Sequence, residues 1–193
     1  IRNIHRWAAH GMVLVSFLHL IRVFFTGGYL GGRRLNWIIG VCILVLVLFM
    51  NFSGYLLPWD QLAYWAVTIG SNIAASFREL TDILGITPVL DIGGFIKKLL
   101  IGDETVGQAA LSRFFMLHVI FLPVTLMVLT GVHFWRIRKD GGISRPVEQN
   151  KEGKLYSWPV VMWAELGMLL LTVAALLIMA FLFDAPLRER ANP

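Results

Sequence analysis

The sequence predicts an all-α membrane protein, a bundle of four transmembrane helices with short surface helices between the second and third spans. Of its 193 residues, 57% are apolar and only 15% are charged, whereas soluble domains have about 45–50% apolar and about 25% charged residues. A soluble chain of this size cannot hide so much apolar surface in its core. The excess apolar surface is therefore predicted to face lipid.

Four apolar segments supply the transmembrane helices, since each approaches or exceeds the ~20 residues that cross a ~30 Å hydrocarbon core. The first segment, residues 7–21, extends to Phe25 if Arg22 snorkels to the membrane surface. The other three contain no Asp, Glu, Lys or Arg. They are residues 35–59, 114–135 and 166–183.

Residues 60–112, between the second and third spans, are too many for a bare connection. Residues 63–77 and 92–100 mix apolar and polar side chains as short helices on a membrane surface do, and Gly85 and Pro88 lie between them. A layer of surface helices on one side of the membrane is therefore predicted.

Basic residues concentrate around the loops after the first and third spans, which lie on the same side of the membrane. The positive-inside rule makes that side cytoplasmic, or its stromal or matrix equivalent, and places residues 60–112 on the opposite face. The basic residues are Arg22, Arg33 and Arg34 in the first group and Arg136, Arg138, Lys139, Arg145, Lys151 and Lys154 in the second.

Charge and cysteine content exclude several classes of function. The 17 Lys and Arg residues exceed the 12 Asp and Glu residues by a net +5, too modest and scattered to suggest a nucleic-acid-binding protein. The single cysteine, Cys42, excludes an internal disulfide, a cysteine-ligated zinc site and a four-cysteine iron–sulfur cluster made by this chain alone.

All five histidines lie in or at the ends of the first and third apolar spans, and four of them form one evenly spaced pair on each span. Intramembrane ionisable side chains are costly and are usually functional. The spacings of 14 and 15 residues separate the members of each pair by about 21–22 Å on roughly one face of a helix. Two such helices facing each other offer two stacked His–His pairs, made from His5, His19, His118 and His133.

Two opposed imidazoles in a helical bundle most economically hold a six-coordinate haem. Zinc fits worse, because its four ligands form one tetrahedron and these histidines lie at two levels. Pro123 lies between the two histidines of the third span, where a local kink or bulge can absorb the extra residue of that spacing. His10 lies about 140° around the helix from His5 and is interpreted as a packing or interface histidine.

Glycines and arginines accompany the histidines. Gly40 and Gly54 on the second span are also 14 residues apart and allow a flat ring to approach the backbone at the same two levels, although glycine pairs also serve helix packing. Arg2 and Arg22 each lie three residues from a histidine of the first span. They are candidates to neutralise haem propionates, with interfacial anchoring as the alternative.

Five ordered motifs run through the chain. They are R-x-x-H-R-W at residues 2–7, H-L-I-R-V-F-F-T-G-G-Y at 19–29, G-Y-L-L-P-W-D-Q at 54–61, R-F-F-M-L-H at 113–118 and H-F-W-R-I-R-K-D-G-G-I-S-R-P at 133–146. With these motifs the chain resembles the cytochrome b subunit of quinol-oxidising cytochrome bc complexes, most closely the cytochrome b6 of the b6f type. The resemblance implies a di-haem core with three transmembrane helices in residues 1–146. Residues 147–193 resemble the start of the C-terminal part of cytochrome b, with the fourth helix.

The resemblance also implies the roles of individual residues. His5 and His118 would ligate a low-potential haem on the positive side, and His19 and His133 a high-potential haem on the negative side. Cofactor-binding roles are implied for Arg2, Arg22, Gly40, Gly54 and Arg113. The quinol-oxidation pocket would use Tyr55, Pro58, Trp59, Ala66 and Ile69, and Glu165 would hydrogen-bond quinone and supply protons at the reduction pocket.

The implied activity is that of the membrane subunit of a quinol:cytochrome c, or plastocyanin-type, oxidoreductase, in which quinol oxidation, quinone reduction and proton translocation are coupled. Implied partners are a Rieske-type iron–sulfur protein, a c-type cytochrome and a second copy of the complex. The expected location is a bacterial cytoplasmic membrane, a thylakoid or a similar energy-transducing membrane. The alternatives are a di-haem anchor with one quinone site serving a dehydrogenase, and a transporter or structural bundle without haem.

Two departures from the family pattern are expected to matter. The family has a transmembrane helix before the one that carries His5, and after the fourth span it continues into a Pro-Glu-Trp-Tyr segment that places a proton-accepting glutamate. We therefore expect the chain to be part of a longer product, or its oxidation site to be completed by another subunit.

Overall fold

The computed structural model describes residues 1–142 and 157–192. The described residues form eight α-helices and contain no β-strand, only one isolated β-bridge. The helices are α1 (Arg2–Phe25), α2 (Arg34–Tyr55), α3 (Gln61–Ala75), α4 (Phe77–Ile83), α5 (Ile92–Ile101), α6 (Gln108–Met116), α7 (Leu122–Lys139) and α8 (Met162–Leu182). The domain boundary predicted after residue 146 lies outside the described residues, as do Arg145, Lys151 and Lys154, so that division stays a prediction.

Four helical stretches are long and apolar enough to cross a membrane, and they confirm the four predicted spans. They are Arg2–Phe25, Gly31–Tyr55, Gln108–Lys139 and Pro159–Leu182. None of the residues of α1 or α8 is buried by the protein itself. Large side chains such as Phe181, which is 87% exposed, are therefore available to lipid, as the composition predicts.

The third span contains the predicted bulge. A π-helical turn, Leu117–Phe121, joins α6 to α7 and ends two residues before Pro123. Pro123 has no N–H group, and its ring clashes with the carbonyl four residues earlier, so an α-helical ladder is interrupted at this point. A π-turn holds more residues than an α-turn and is therefore a local bulge of the helix.

The chain divides into two compact units, the first formed by residues 1–47 and 127–186. In this unit α1 packs along α8, with polar side chains of α1 satisfying groups at the end of α8. Asn3 donates to Ala180 O (3.3 Å) and accepts from the Ala185 N–H (3.2 Å). The Trp7 indole donates to Phe183 O at 3.0 Å. The last carbonyls of a helix have no partner within the helix, and these bonds supply donors for two carbonyls at the end of α8.

The second unit is formed by residues 48–126 and 187–193. Its helices α3 and α5 match the two predicted surface helices, and each is capped by an aspartate: Asp60 accepts from Ala63 N and Asp91 from Gly94 N, both at 2.8 Å. The short helix α4 was not predicted. The core of the unit contains Leu56, Tyr64, Val67, Ile101, Val106, Ala110, Phe114 and Ala191.

Two of the predicted loop cations make hydrogen bonds or ion pairs within the first unit. Arg136 forms an ion pair at 3.0 Å with Asp140, the residue that follows the end of α7. Arg136 also donates to Gly32 O at 3.4 Å, and Arg33 donates to Asp140 O at 3.3 Å. These bonds tie the loop after α1 to the end of α7. The cytoplasmic location of this end stays a prediction.

Candidate functional site

His19 on α1 and His133 on α7 lie together in the first unit. Their ring centroids are 6.5 Å apart and their planes make an angle of 81°. A metal–imidazole bond is about 2 Å long, and the ring nitrogen lies about 1.2 Å from the ring centroid. Two imidazoles on opposite sides of one metal ion therefore have centroids about 6.4 Å apart. The observed separation fits shared coordination of one ion.

Gly40 on α2 lies beside this histidine pair. A Cβ atom added at Gly40 would lie 3.5 Å from Cε1 of His133. The His133 Nδ1 atom is buried and, in the part of the chain that the structure describes, completes no hydrogen bond, although the main chain of Asn36 lies close to the ring. A histidine pair at coordination distance beside a glycine is an arrangement that suits a flat metal-bearing ring.

His118 lies in the π-turn of the second unit, against the end of α2. Its Nδ1 atom is 3.0 Å from Met50 O and 3.1 Å from Ser53 Oγ. Because a carbonyl oxygen only accepts, Nδ1 carries the hydrogen, and Nε2 is the nitrogen that carries the lone pair. A Cβ atom at Gly54 would lie 2.5 Å from Cε1 of His118. The sequence analysis missed Met50 and Ser53, although a serine next to Gly54 in an apolar span was an available signal.

The remaining two histidines lie on α1. His5 belongs to the first unit and His118 to the second, and their pairing stays a prediction. His10 is exposed, and its Nδ1 atom is 2.7 Å from Arg6 O, one turn earlier in the same helix. This local bond agrees with the interpretation of His10 as a histidine outside the ligand set.

The three candidate arginines differ in their surroundings. Arg2 lines an open groove of about 670 Å³ between the start of α1 and the end of α8, and Arg22 is exposed in the last turn of α1. Arg113 donates from Nη1 to Lys98 O at 2.7 Å and to Leu99 O at 2.6 Å. Arg113 thus satisfies two carbonyls at the C-terminal end of α5. The cofactor-binding roles of these arginines stay predictions.

The five candidate oxidation-pocket residues all belong to the second unit, at the corner between α2 and α3. Tyr55 is 44% and Ile69 57% exposed, while Pro58 is exposed and Ala66 partly buried. Trp59 has φ +53°, a left-handed conformation that is a genuine outlier for a bulky residue. Such strain, of order 1–3 kcal/mol, persists only where the surrounding structure holds it.

The residues after α8 hold this corner in place, a contact that the sequence analysis missed. Trp59 N donates to Leu56 O at 2.9 Å, and Trp59 O accepts from Ala191 N at 3.0 Å. Asp60 and Arg190 form an antiparallel bridge. The Gln61 side chain accepts from Asn192 N at 2.7 Å and donates to Asn192 O at 3.4 Å, as a neighbouring strand would. Residues 189–192 are therefore paired with residues 59–61.

We expect Gln61→Ala to release the end of this paired segment, because two of its hydrogen bonds come from that side chain. Each bond contributes about 1 kcal/mol, so the loss of both should accelerate trypsin cleavage after Arg190 about thirtyfold under native conditions. Gln108→Ala is the control, since Gln108 bonds only to Ser112 on its own helix among the contacts seen. Equal cleavage rates in Gln61→Ala and the native chain would contradict the prediction.

Glu165 lies exposed in the first turn of α8, where the partial positive charge of the helix N-terminus favours a carboxylate. This position is compatible with an interfacial carboxylate as well as with a proton-supplying group. Its role in quinone reduction stays a prediction.

A known protein family matches most of this chain. The sequence profile described as Cytochrome b(N-terminal)/b6/petB matches residues 10–189. The chain belongs to this cytochrome b family. The family resemblance predicted from the motifs is thereby confirmed, and with it the expectation of b-type haem that the family carries.

Individual relatives agree with this assignment. Cytochrome b6 of Prochlorococcus marinus strain MIT 9211 is 45% identical over 147 residues, which are 76% of this chain and 62% of that protein. Cytochrome b6 of Synechococcus sp. strain CC9605 is 44% identical with the same coverage. A chain of the solved "Hyperthermophilic respiratory Complex III" matches all of this chain and 51% of its own length, with a TM-score of 0.78 and 27% identity. The chain thus spans about half to three-fifths of these relatives.

The family assignment and the four apolar helices together make this chain an integral membrane protein of an energy-transducing membrane.

Proposed function

We propose that this chain is a di-haem cytochrome b that oxidises quinol on one side of the membrane and reduces quinone on the other. The observation that carries the proposal is the His19–His133 pair, whose 6.5 Å centroid separation fits two axial ligands of one haem. The orientation of His118 by Met50 and Ser53 supports a second ligand site. Haem bound at these sites would supply one-electron transfer.

The four histidines would act as two ligand pairs. His19 and His133 would hold the high-potential haem, and His5 and His118 the low-potential haem. Gly40 and Gly54 let the rings of His133 and His118 lie close to the backbone of α2. Arg2, Arg22 and Arg113 are the cations proposed to neutralise the propionates.

Quinol oxidation is proposed for the corner between α2 and α3. Oxidation of one quinol releases two protons and two electrons, of which one electron would go to a Rieske-type iron–sulfur partner and one toward His5 and His118. The pocket would be lined by exposed Tyr55 and Ile69, with Pro58, Trp59 and Ala66. A Pro-Glu-Trp-Tyr segment, from a continuation of the chain or another subunit, would accept a proton. A c-type cytochrome or plastocyanin-type protein would be the final acceptor.

Quinone reduction is proposed beside His19 and His133, where one quinone takes up two electrons and two protons. Glu165 would hydrogen-bond the quinone and supply protons from the face opposite the oxidation pocket. Release of protons on one face and uptake on the other would make the reaction translocate protons. A homodimer of the complex is the proposed assembly.

The experiment that tests the proposal is a haem-to-polypeptide ratio on the purified complex, combined with a redox titration of its visible spectrum. Two haems per chain that titrate in two separated waves are expected. One haem, or none, would contradict the assignment of two histidine pairs.

We expect Glu165→Gln to slow quinone reduction, because the amide keeps the hydrogen bond but cannot supply a proton. Loss of a general acid typically costs about 10²-fold, which reoxidation kinetics of the high-potential haem would measure. Both haem spectra should be unchanged. Glu104→Gln, which removes an exposed carboxylate of the second unit, is the control, and unchanged reoxidation in Glu165→Gln would remove Glu165 from the mechanism.

A further inference from the structure

We infer that Ser53, together with the main-chain carbonyl of Met50, is a positioning residue for His118 and lowers the reduction potential of the haem that His118 ligates. The inference rests on the proposed function in taking His118 as a ligand. It adds a role for a residue that belongs to no ligand pair and lines neither proposed quinone pocket.

Three hydrogen bonds connect Ser53, Met50 and His118. The Ser53 hydroxyl donates to Met50 O at 3.0 Å. The His118 Nδ1 atom is 3.0 Å from the same carbonyl and 3.1 Å from Ser53 Oγ. Because the serine hydrogen goes to Met50 O, the lone pairs of Oγ are free to accept from His118. One Nδ1–H group is therefore shared between two acceptors.

The hydroxyl acts in a water-free environment, since Ser53 is 0% exposed. Water cannot replace the lost acceptor there, and a hydrogen bond is electrostatically stronger in such surroundings. Two acceptors on Nδ1 fix both the tautomer and the plane of the ring, so that Nε2 carries the lone pair and is the nitrogen that would bind iron.

The same bonds affect the iron. An acceptor at Nδ1 raises the basicity of the ligating nitrogen, and a more basic ligand stabilises oxidised iron over reduced iron. The potential of the haem at His118 is thereby lowered.

The other histidine of the third span has weaker support. Among the residues that the structure describes, only the main chain of Asn36 lies close to its ring, and the buried Nδ1 atom of His133 completes no hydrogen bond of good geometry. The two histidines of one span therefore differ in the acceptors at Nδ1. This difference would make the reduction potential of the haem at His118 lower than that of the haem at His133.

A matched control is available in the same unit. Ser71 is 2% exposed, and its hydroxyl donates to Thr68 O at 3.0 Å, also three residues earlier in its helix. Ser71→Ala therefore makes the same chemical change at an equally buried position, away from the contacts of His118. A purely structural role of a buried serine would affect both variants alike.

The test is a redox titration of the complex carrying Ser53→Ala, Ser53→Thr or Ser71→Ala. In Ser53→Ala one of the two waves should move to higher potential, by a two- to tenfold change in the reduction equilibrium, as loss of one hydrogen bond predicts. This is about 20 to 60 mV for a one-electron couple. Ser53→Thr keeps the hydroxyl and should stay near the native potential, and Ser71→Ala should change neither wave.

The outcomes separate this inference from the proposed function. Two native waves with no shift in Ser53→Ala, or an equal shift in Ser71→Ala, would overturn the role of Ser53 and leave the proposed function standing. Fewer than two waves in the native complex would overturn the proposed function itself. Loss of one haem from Ser53→Ala, with both haems kept by Ser53→Thr, would support the positioning role.

Discussion

His133→Ala is expected to leave one haem per chain where the native complex has two, and to remove the high-potential wave from the redox titration. His19 and His133 are the residues that would hold this haem, and their ring centroids lie 6.5 Å apart. Removal of one ring leaves a single ligand in an apolar site, which does not hold a haem that depends on two. His19→Ala should give the same result. Haem content and the titration of the visible spectrum measure both variants.

His10→Ala is the matched control for these substitutions. His10 is a histidine of the same helix α1, but its Nδ1 atom is 2.7 Å from Arg6 O, one turn earlier in that helix. Its removal should leave both haems and both potentials unchanged. Two haems with native spectra in His133→Ala, or a lost haem in His10→Ala, would show that the ligand set is assigned incorrectly.

Gly54→Ala is expected to displace His118 and to reduce haem binding at that site. The added methyl group would lie 2.5 Å from Cε1, 3.0 Å from Nδ1 and 3.1 Å from Nε2 of the His118 ring. The ring is rigid and is held by Met50 and Ser53, so it cannot turn aside without losing those bonds. Overpacking of this kind costs about 1–3 kcal/mol, against about 1 kcal/mol gained from the better helix propensity of alanine. Thermal unfolding in detergent and haem content measure the loss.

Two other glycines separate this steric effect from a general effect of alanine. A methyl group at Gly40 would lie 3.5 Å from Cε1 of His133, which is ordinary van der Waals contact, and at Gly131 it would meet nothing within 4 Å. Gly131→Ala is therefore the control and should be neutral or more stable by up to about 1 kcal/mol, whereas Gly40→Ala tests the proposed haem position. Equal stability and haem content in Gly54→Ala and Gly131→Ala would refute the assigned contact.

Gly40 and Gly54 show that the sequence does not predict how closely two helices approach each other. Their 14-residue spacing predicted equivalent positions beside two rings, and the structure does place each beside a histidine. Only Gly54 is in tight contact. The difference depends on how closely α2 approaches each part of the third span, and spacing along one helix does not contain that distance.

Other features of the candidate site could not be predicted for the same reason. The acceptors of His118 lie 65 and 68 residues earlier in the chain, and the segment paired with Gln61 lies 131 residues later. Residues 189–192 form an extended segment whose partners come from the turn at Trp59. No local pattern marks such pairing, because each side needs the other to satisfy its backbone groups.

The sequence by itself determined the four spans, the two surface helices and the bulge before Pro123. These follow from hydropathy, from the 3.6-residue period and from a missing N–H group, which act within a single segment of chain. The tertiary structure alone decided that Ser53 and Met50 hold His118, and that residues 189–192 hold the strained turn at Trp59. Those contacts depend on the rotation and closeness of separate helices, which are set by packing and hydrogen-bond satisfaction across the whole unit.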